Sequence, residues 1–416
     1  MEILVYADWF QKEEPVLMGI LTHIIENGEE LYSFEYSKNW LKNENFAHFD
    51  QNLGLFNEKS VKISKNGTFE ILLDSCPDGW GRKLISRENA LLAQKENGAV
   101  KSLSESDYLL FQPDTFRKGA LRFKSLDKGP FLSYSDQTNT PNLSRLAELE
   151  YACLQLESGD AENNPEYESG LRMLVSAGAS LGGSRPKANV CDDAGNLWIA
   201  KFPSFLDETD VEAWEMLALM LAKASGIWVC QSQLLKLASY KSTFLTRRFD
   251  RTATGRIHFV SASALLKNNL GAKPGEVKSY LEIAEFISRS GAEPKADLEQ
   301  LWRRIVFNIC ISNTDDHARN HGFLLTNKGW KLSLAYDMNP DEYGEALTLN
   351  INETQNALEL DLALSVAKYF DLKEKQALHI ISEIAEQCNQ WYEVAKKLNI
   401  PPNERQLMSK AFNRSL

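Results

Sequence analysis

Residues 312–323, Ser-Asn-Thr-Asp-Asp-His-Ala-Arg-Asn-His-Gly-Phe, gather carboxylates, imidazoles and carboxamides directly behind the apolar run 301–311. Three chemistries fit such a stretch. Asp315-x4-Asn320 has the spacing of a phosphoryl-transfer loop, in which the aspartate takes the proton of an attacking hydroxyl and the asparagine holds a divalent cation. Asp337, in Ala-Tyr-Asp-Met (335–338), follows a strand-like piece and offers a second oxygen ligand. Mg²⁺ needs no more than one or two such ligands beside nucleotide phosphates. Alternatively, His317 and His321 stand four apart and would form a zinc pair on one face of a helix, a metal-dependent hydrolase using Asp315, His317 and His321. The third reading is a solvated turn.

Two upstream features favour the first chemistry. Lys201 ends the apolar run Leu-Trp-Ile-Ala (197–200), and strand alternation places it with Leu197 and Ile199, facing inward. A lysine there needs a negative partner, and Glu215 (or Glu212) on the next helix is suitably placed. The stretch Ser-Ala-Gly-Ala-Ser-Leu-Gly-Gly-Ser-Arg-Pro-Lys (176–187) is rich in glycine and serine and ends on a lysine just before a strand. It suits a loop whose N–H groups approach phosphates. It matches neither a Walker A sequence nor GxGxxG.

These residues need elements to position them. The first ~125 residues mix short alternating segments (2–7, 31–36 and 68–73) with turns and a few helical stretches. Residues 124–142 read as a connection, and a helix follows with Ser144 as its cap. The acid-rich 159–170 reads as an exposed loop. Asp-Asp-Ala-Gly-Asn (192–196) between two strand-like pieces is a hairpin signal. The amphipathic run 210–225 is a helix ending at Gly226. Two more strands are expected near 232–238 and 242–249, and helical periodicity dominates beyond about residue 275, apart from strand-like pieces at 322–326 and 330–335. The organisation expected is α+β, in three parts: 1–125 mixed β/α, 126–250 a sheet with the glycine loop and one main helix, 251–416 mostly helical and carrying the catalytic loop.

The chain has 416 residues, 43% hydrophobic and 25% charged, the composition of an ordinary globular protein with a sizeable core. Six cysteines (76, 153, 191, 230, 310, 388) contain no CxxC pair, which fits reduced thiols in the cytoplasm. No signal peptide or membrane span is apparent, so no membrane partner is expected. A net charge of −11 argues against a broad nucleic-acid face.

Taken as an ordered set, the 180–187 loop, Lys201, Arg-Arg-Phe-Asp-Arg (247–251), Thr-Asp-Asp-His-Ala-Arg-Asn (314–320) and Ala-Tyr-Asp-Met (335–338) resemble the HipA family of bacterial serine/threonine kinase toxins. Cys-Pro-Asp-Gly-Trp-Gly (76–81) and Lys-Gly-Ala-Leu-Arg-Phe (118–123) are similar to that family's N-terminal segments. The resemblance implies a protein-kinase-like two-lobed fold. It implies that Asp315 is the catalytic base, that Asn320 and Asp337 ligate Mg²⁺, and that Lys201, Gly182, Gly183, Ser184 and Lys187 hold the ATP phosphates. It places Phe249 beside the adenine and makes Ser180 the autophosphorylated serine. It assigns His317 to the shape of the loop and leaves Asp316 variable and facing solvent. The partners implied are a helix-turn-helix antitoxin (HipB-like), DNA only through that antitoxin, and a protein substrate such as an aminoacyl-tRNA synthetase. The alternatives are a weak pseudokinase acting as corepressor with such an antitoxin, and the metal-dependent hydrolase above.

Overall fold

The computed structural model describes residues 1–9, 14–42, 60–64, 69, 72, 74–125, 129–131, 140–158, 165–253, 255–266 and 277–412. The strand-like segment expected at 68–73, most of the connection at 124–142 and the first part of the acidic loop at 159–170 lie outside the described residues. The chain forms two compact units. The first is Met1–Phe205 with Leu237–Ser239 and Asp250–Val260, and the second is Leu206–Lys236, Tyr240–Phe249 and Ser261–Leu416.

In the first unit, β1 (Glu2–Ala7), β2 (Val16–Glu26), β3 (Glu29–Tyr36), β4 (Ser60–Ser64) and β5 (Leu121–Lys124) make an antiparallel sheet of order β4-β3-β2-β1-β5. Their register pairs Glu26 with Glu29 across the Asn27-Gly28 turn, and Leu4 with Lys124 at the β1–β5 seam. Alternation is visible in β1, where Ile3 and Val5 are fully buried. The longer helices of the unit are α1 (Gly79–Lys95), α2 (Leu146–Glu157) and α3 (Tyr167–Gly178), with α3 packed against both others. Asn142, not Ser144, caps the turn leading into α2: the Ser144 N–H donates to Asn142 Oδ1 at 3.0 Å. Ser144 already lies inside the 3-10 turn Leu143–Arg145, where its own N–H needs an acceptor.

The unit also holds a hairpin, β6 (Lys187–Cys191) and β7 (Leu197–Lys201), whose register sets Lys187 opposite Lys201. The expected turn at 192–196 is present, built around one carboxylate. Asp192 accepts from the N–H groups of Ala194 and Asn196 and from the Trp198 indole at 3.0 Å. The Trp198 and Asn196 donors hold its carboxyl down at about 2.

The second unit holds α4 (Val211–Ala224), the antiparallel hairpin β8 (Ser232–Lys236) and β9 (Ser242–Arg247), then α5 (Tyr280–Ser290) and α6 (Pro294–Cys310). A further antiparallel hairpin, β10 (Gly322–Thr326) and β11 (Gly329–Leu332), precedes α7 (Leu360–Val366), α8 (Glu374–Cys388), α9 (Trp391–Lys397) and α10 (Pro402–Phe412). Gly226 follows α4 as expected, and the Ile227 N–H returns to Ala222 O. A capping box between Ser279 and Glu282 starts α5. Proline in the first turn starts α6, where no N–H is required. That helix is the axis of the unit: Leu301, Trp302, Ile305, Val306 and Ile309 are all fully buried. Among the described residues no helix is long and apolar enough to cross a membrane.

Asp297, in the first turn of α6, is fully buried and accepts the Leu332 N–H of β11 at 3.0 Å. Its other oxygen has no partner among the described residues. Burial pushes this carboxyl up to about 6. Because the folded-state value lies above the unfolded one, the protonated form favours the folded chain. That contribution is complete below about pH 4 and is lost as pH rises through about 6. Urea denaturation of wild type and Asp297→Asn between about pH 4 and pH 7 is therefore expected to give a falling stability for wild type and a flatter profile for the variant. Parallel profiles would mean that this carboxylate does not titrate in that window.

Candidate active site

The chain leaves α6 through Ser312, whose φ of 52° turns it out of the helix. The root of the following loop is pinned from several directions. Ser312 Oγ donates to Ala411 O at 2.8 Å, Asn313 Nδ2 to Asn308 Oδ1 at 3.0 Å, and Thr314 Oγ1 to Asp341 Oδ2 at 2.6 Å. Past it, Tyr336 Oη donates to Arg319 O at 2.7 Å, and the Asn320 N–H donates to His317 O.

Asp316 is the keystone of this loop and a correction to the sequence reading, which set it in solvent. It is buried, and its Oδ2 accepts from Tyr280 Oη at 2.6 Å, Asn308 Nδ2 at 2.7 Å and His321 Nε2 at 2.9 Å. Burial alone would push this carboxyl up. The His321 ring, the donated hydrogen bonds and the Arg304 charge outweigh burial and hold it below the usual carboxylate range. Tyr280 shifts the other way: burial and the adjacent carboxylate raise its phenol well above the ordinary value. Since an ionised carboxylate only accepts, His321 must carry its proton on Nε2.

Asp315, next in line, is exposed. Asn320 is buried, with Nδ2 donating to Asp315 O at 3.3 Å. Among the described residues nothing donates to its Oδ1, which leaves a hard oxygen of the kind Mg²⁺ takes. Asp337 sits at φ 59°, a left-handed conformation that aspartate tolerates better than most residues. Phe249 packs on Tyr336 with ring centroids 5.7 Å apart, so Phe249, Asn320 and Asp337 are linked through Tyr336 and Arg319. The histidine reading of the loop loses its premise: α6 ends at Cys310 and β10 begins at Gly322, so no helix carries His317 and His321. Among the described residues no group of three or more His, Cys, Asp or Glu is arranged to hold a metal ion.

The glycine loop belongs to the first unit. Gly183 adopts φ +80°, and a Cβ there would lie 2.6 Å from Lys187 Nζ, so the position demands glycine. Lys187 Nζ donates to Gly182 O at 2.7 Å, and the Trp80 N–H of α1 donates to Gly183 O at 2.8 Å. Both carbonyls are thus tied back. Among the described residues the N–H groups of Gly182 and Ser184 donate to nothing. The Gly183 N–H meets Asp78 Oδ2 at 3.5 Å, so the donors left over are those of Gly182 and Ser184, backbone groups of the kind that bind anions. Ser180 is buried, its Oγ accepting from Asn189 Nδ2 at 3.1 Å.

The face of β7 is also corrected. Trp198 and Ala200 are its buried residues, while Leu197, Ile199 and Lys201 share the half-buried face. Lys201 and Lys187, opposed across the hairpin, therefore lie on the same side. Glu212 and Glu215 are buried on α4, in the other unit. Sequence reasoning missed Tyr280, Asn308 and Trp80. The pairing of Asp316 with a histidine five positions on was a usable signal for the buried network.

A model of the HipA-like C-terminal domain matches residues 179–392, a span that includes every candidate from Ser180 to Asp337. The chain belongs to this HipA-like family. It is 26% identical over 232 residues to a Sinorhizobium fredii (strain NBRC 101917 / NGR234) protein named "Putative kinase Y4dM", covering 50% of this chain and 54% of that protein. It is 28% identical over 149 residues to "Putative kinase Y4mE" of the same strain, covering 34% and 33%. The chain thus spans about half or less of the curated relatives it matches. Among solved structures, a chain of the Shewanella oneidensis MR-1 toxin–antitoxin complex of HipA, HipB and operator DNA shares the fold. Its TM-score is 0.63 at 17% identity, over 98% of this chain and 96% of that one.

Replacing Asp316 with Ala strands three buried donors and is expected to cost roughly 3–5 kcal/mol of stability, read as a lowered urea midpoint. A solvent-facing residue would change stability by about 0.5 kcal/mol or less, and that result would contradict the buried network.

Proposed function

We propose that the chain is a serine/threonine protein kinase of HipA type, using ATP with Mg²⁺ and acting as the toxin of a toxin–antitoxin pair. The observation that carries this reading is the contrast at Asp315 and Asp316. One carboxylate is locked in the core, and its neighbour is presented to solvent on a loop pinned at both ends. That is the preorganisation a base requires to accept a hydroxyl proton. In this reading Asp315 takes the proton as the substrate oxygen bonds to the γ-phosphorus and the bond to ADP breaks. Asn320 and Asp337 are the oxygen ligands of Mg²⁺, which neutralises phosphate charge when bound. Lys201, Lys187 and the N–H groups around Gly182, Gly183 and Ser184 hold the phosphates, and Phe249 lies beside the base. Residues 126–250 act as the nucleotide-holding part and 251–416 as the catalytic part, while 1–125 brace the glycine loop.

Ser180 is the proposed autophosphorylation site. In the present conformation its hydroxyl is covered, so phosphorylation requires the 179–184 segment to turn outward. A dianion there would oppose return of the loop beside ATP phosphates and silence the enzyme. The likeness to the Shewanella complex supports a HipB-like helix-turn-helix antitoxin as partner, with DNA reached through it. An aminoacyl-tRNA synthetase is the proposed substrate class, and the cytoplasm the proposed location.

Incubation with MgATP is expected to add one phosphate at Ser180, read by mass spectrometry, and Asp315→Ala is expected to remove the label. A wild-type chain that binds ATP yet stays unlabelled overturns the kinase reading in favour of a binding partner or corepressor.

A further inference from the structure

A further lysine stands at the glycine loop, carried by the segment that leads into β5. A Cβ built on Gly182 would lie 3.4 Å from Lys118 Nζ. Lys118 is half-buried, and among the described residues it makes no hydrogen bond or ion pair. The nearby carboxylate, Asp78, has its Cβ 4.0 Å from the same point but turns its oxygens to the N–H groups of Gly79 at 2.8 Å and Gly183 at 3.5 Å.

The backbone on both sides of Lys118 is held by two adjacent residues far along the chain. Asp250 Oδ2 accepts the Gly119 N–H at 2.8 Å. Arg251, paired with Asp250 at 2.8 Å, donates to the carbonyls of Gly119 at 3.2 Å, Arg117 at 2.6 Å and Thr115 at 3.2 Å. Gly119 has φ +67°, and a Cβ there would meet Phe259 N at 2.9 Å, so the turn admits only glycine. This is a heavy investment of charged groups in the placement of one lysine. The result is two ammonium groups at one short loop: Lys187 with its Nζ on Gly182 O, and Lys118 beside Gly182.

We propose that Lys118 is a phosphate-binding residue. The Asp250–Arg251 clamp delivers it to the glycine loop, where it acts with the free N–H groups of Gly182 and Ser184 on the polyphosphate of a nucleotide. The assignment rests on the phosphotransferase reading for the identity of the ligand and on the loop geometry for the anion.

The test uses the full chain in calorimetric titrations with ATP, inorganic triphosphate and adenosine, for wild type, Lys118→Gln and Lys118→Arg. Thermal melts verify folding. A charge-assisted contact predicts that Lys118→Gln weakens ATP and triphosphate about tenfold or more, leaves adenosine unchanged and flattens the salt dependence, with partial recovery in Lys118→Arg. Wild-type affinity of a folded Lys118→Gln for both phosphate ligands overturns the assignment while leaving the kinase reading intact. Triphosphate binding that depends on Lys118, without ATP binding, keeps the anion site and removes the nucleotide. Failure of wild type to bind either phosphate ligand removes both.

Discussion

A single buried carboxylate oxygen organises the second unit. Asp316 Oδ2 takes donors from α5, from α6 and from the first residues leading into β10, so three elements converge on one acceptor. A buried charge is tolerable only when fully hydrogen-bonded and electrically balanced, and here His321, Tyr280 and Arg304 supply that balance. The same requirement fixes the backbone of the loop. Once Asp316 is drawn inward, Asp315 is left at the surface and Asn320 is folded back toward it.

The first unit solves the opposite electrostatic problem. Its glycine loop leaves the Gly182 and Ser184 N–H groups without acceptors among the described residues and has Lys187 and Lys118 beside it, although the chain as a whole carries a net charge of −11. The local field at a site is set by the nearest oriented groups rather than by the total charge, since salt screens anything beyond about 10 Å. Trp80 is central to this arrangement. Its backbone N–H takes Gly183 O and its indole takes Lys187 O, so the start of α1 decides which way the loop's peptide units point.

Features set by neighbouring residues were readable in the amino-acid order. The Asp192 turn, the end of α4 at Gly226 and the strands of both hairpins depend on residues within a few positions of each other, and each was anticipated. In the second unit, Asp315 and Asn320 came from spacing within one short stretch, Asp337 from the strand-like piece before it, and Phe249 from the resemblance alone. What was not readable depends on partners far along the chain. Asp316 is satisfied by Tyr280 and Asn308, so its burial could not be inferred from its polar neighbours. Alternation in β7 correctly grouped Lys201 with Leu197 and Ile199, but periodicity cannot tell which face a sheet covers. The segment that Lys118 begins was recognisable, but its place beside Gly182 was not, because the backbone there is held by residues that come more than a hundred positions later.

That separation has a consequence for how the protein is made. Gly119 and Asp250 lie 131 residues apart, and at a synthesis rate of about 5–20 residues per second the clamp follows the segment it holds by on the order of ten seconds. During that interval the nascent first unit is incomplete, whatever else of it has folded. A chain cut at the end of β7 would contain the glycine loop, Lys187 and Lys118 yet lack the two residues that hold the backbone around Lys118. The order of synthesis therefore leaves the backbone around Lys118 unclamped until the whole of the second unit's first hairpin has also been made.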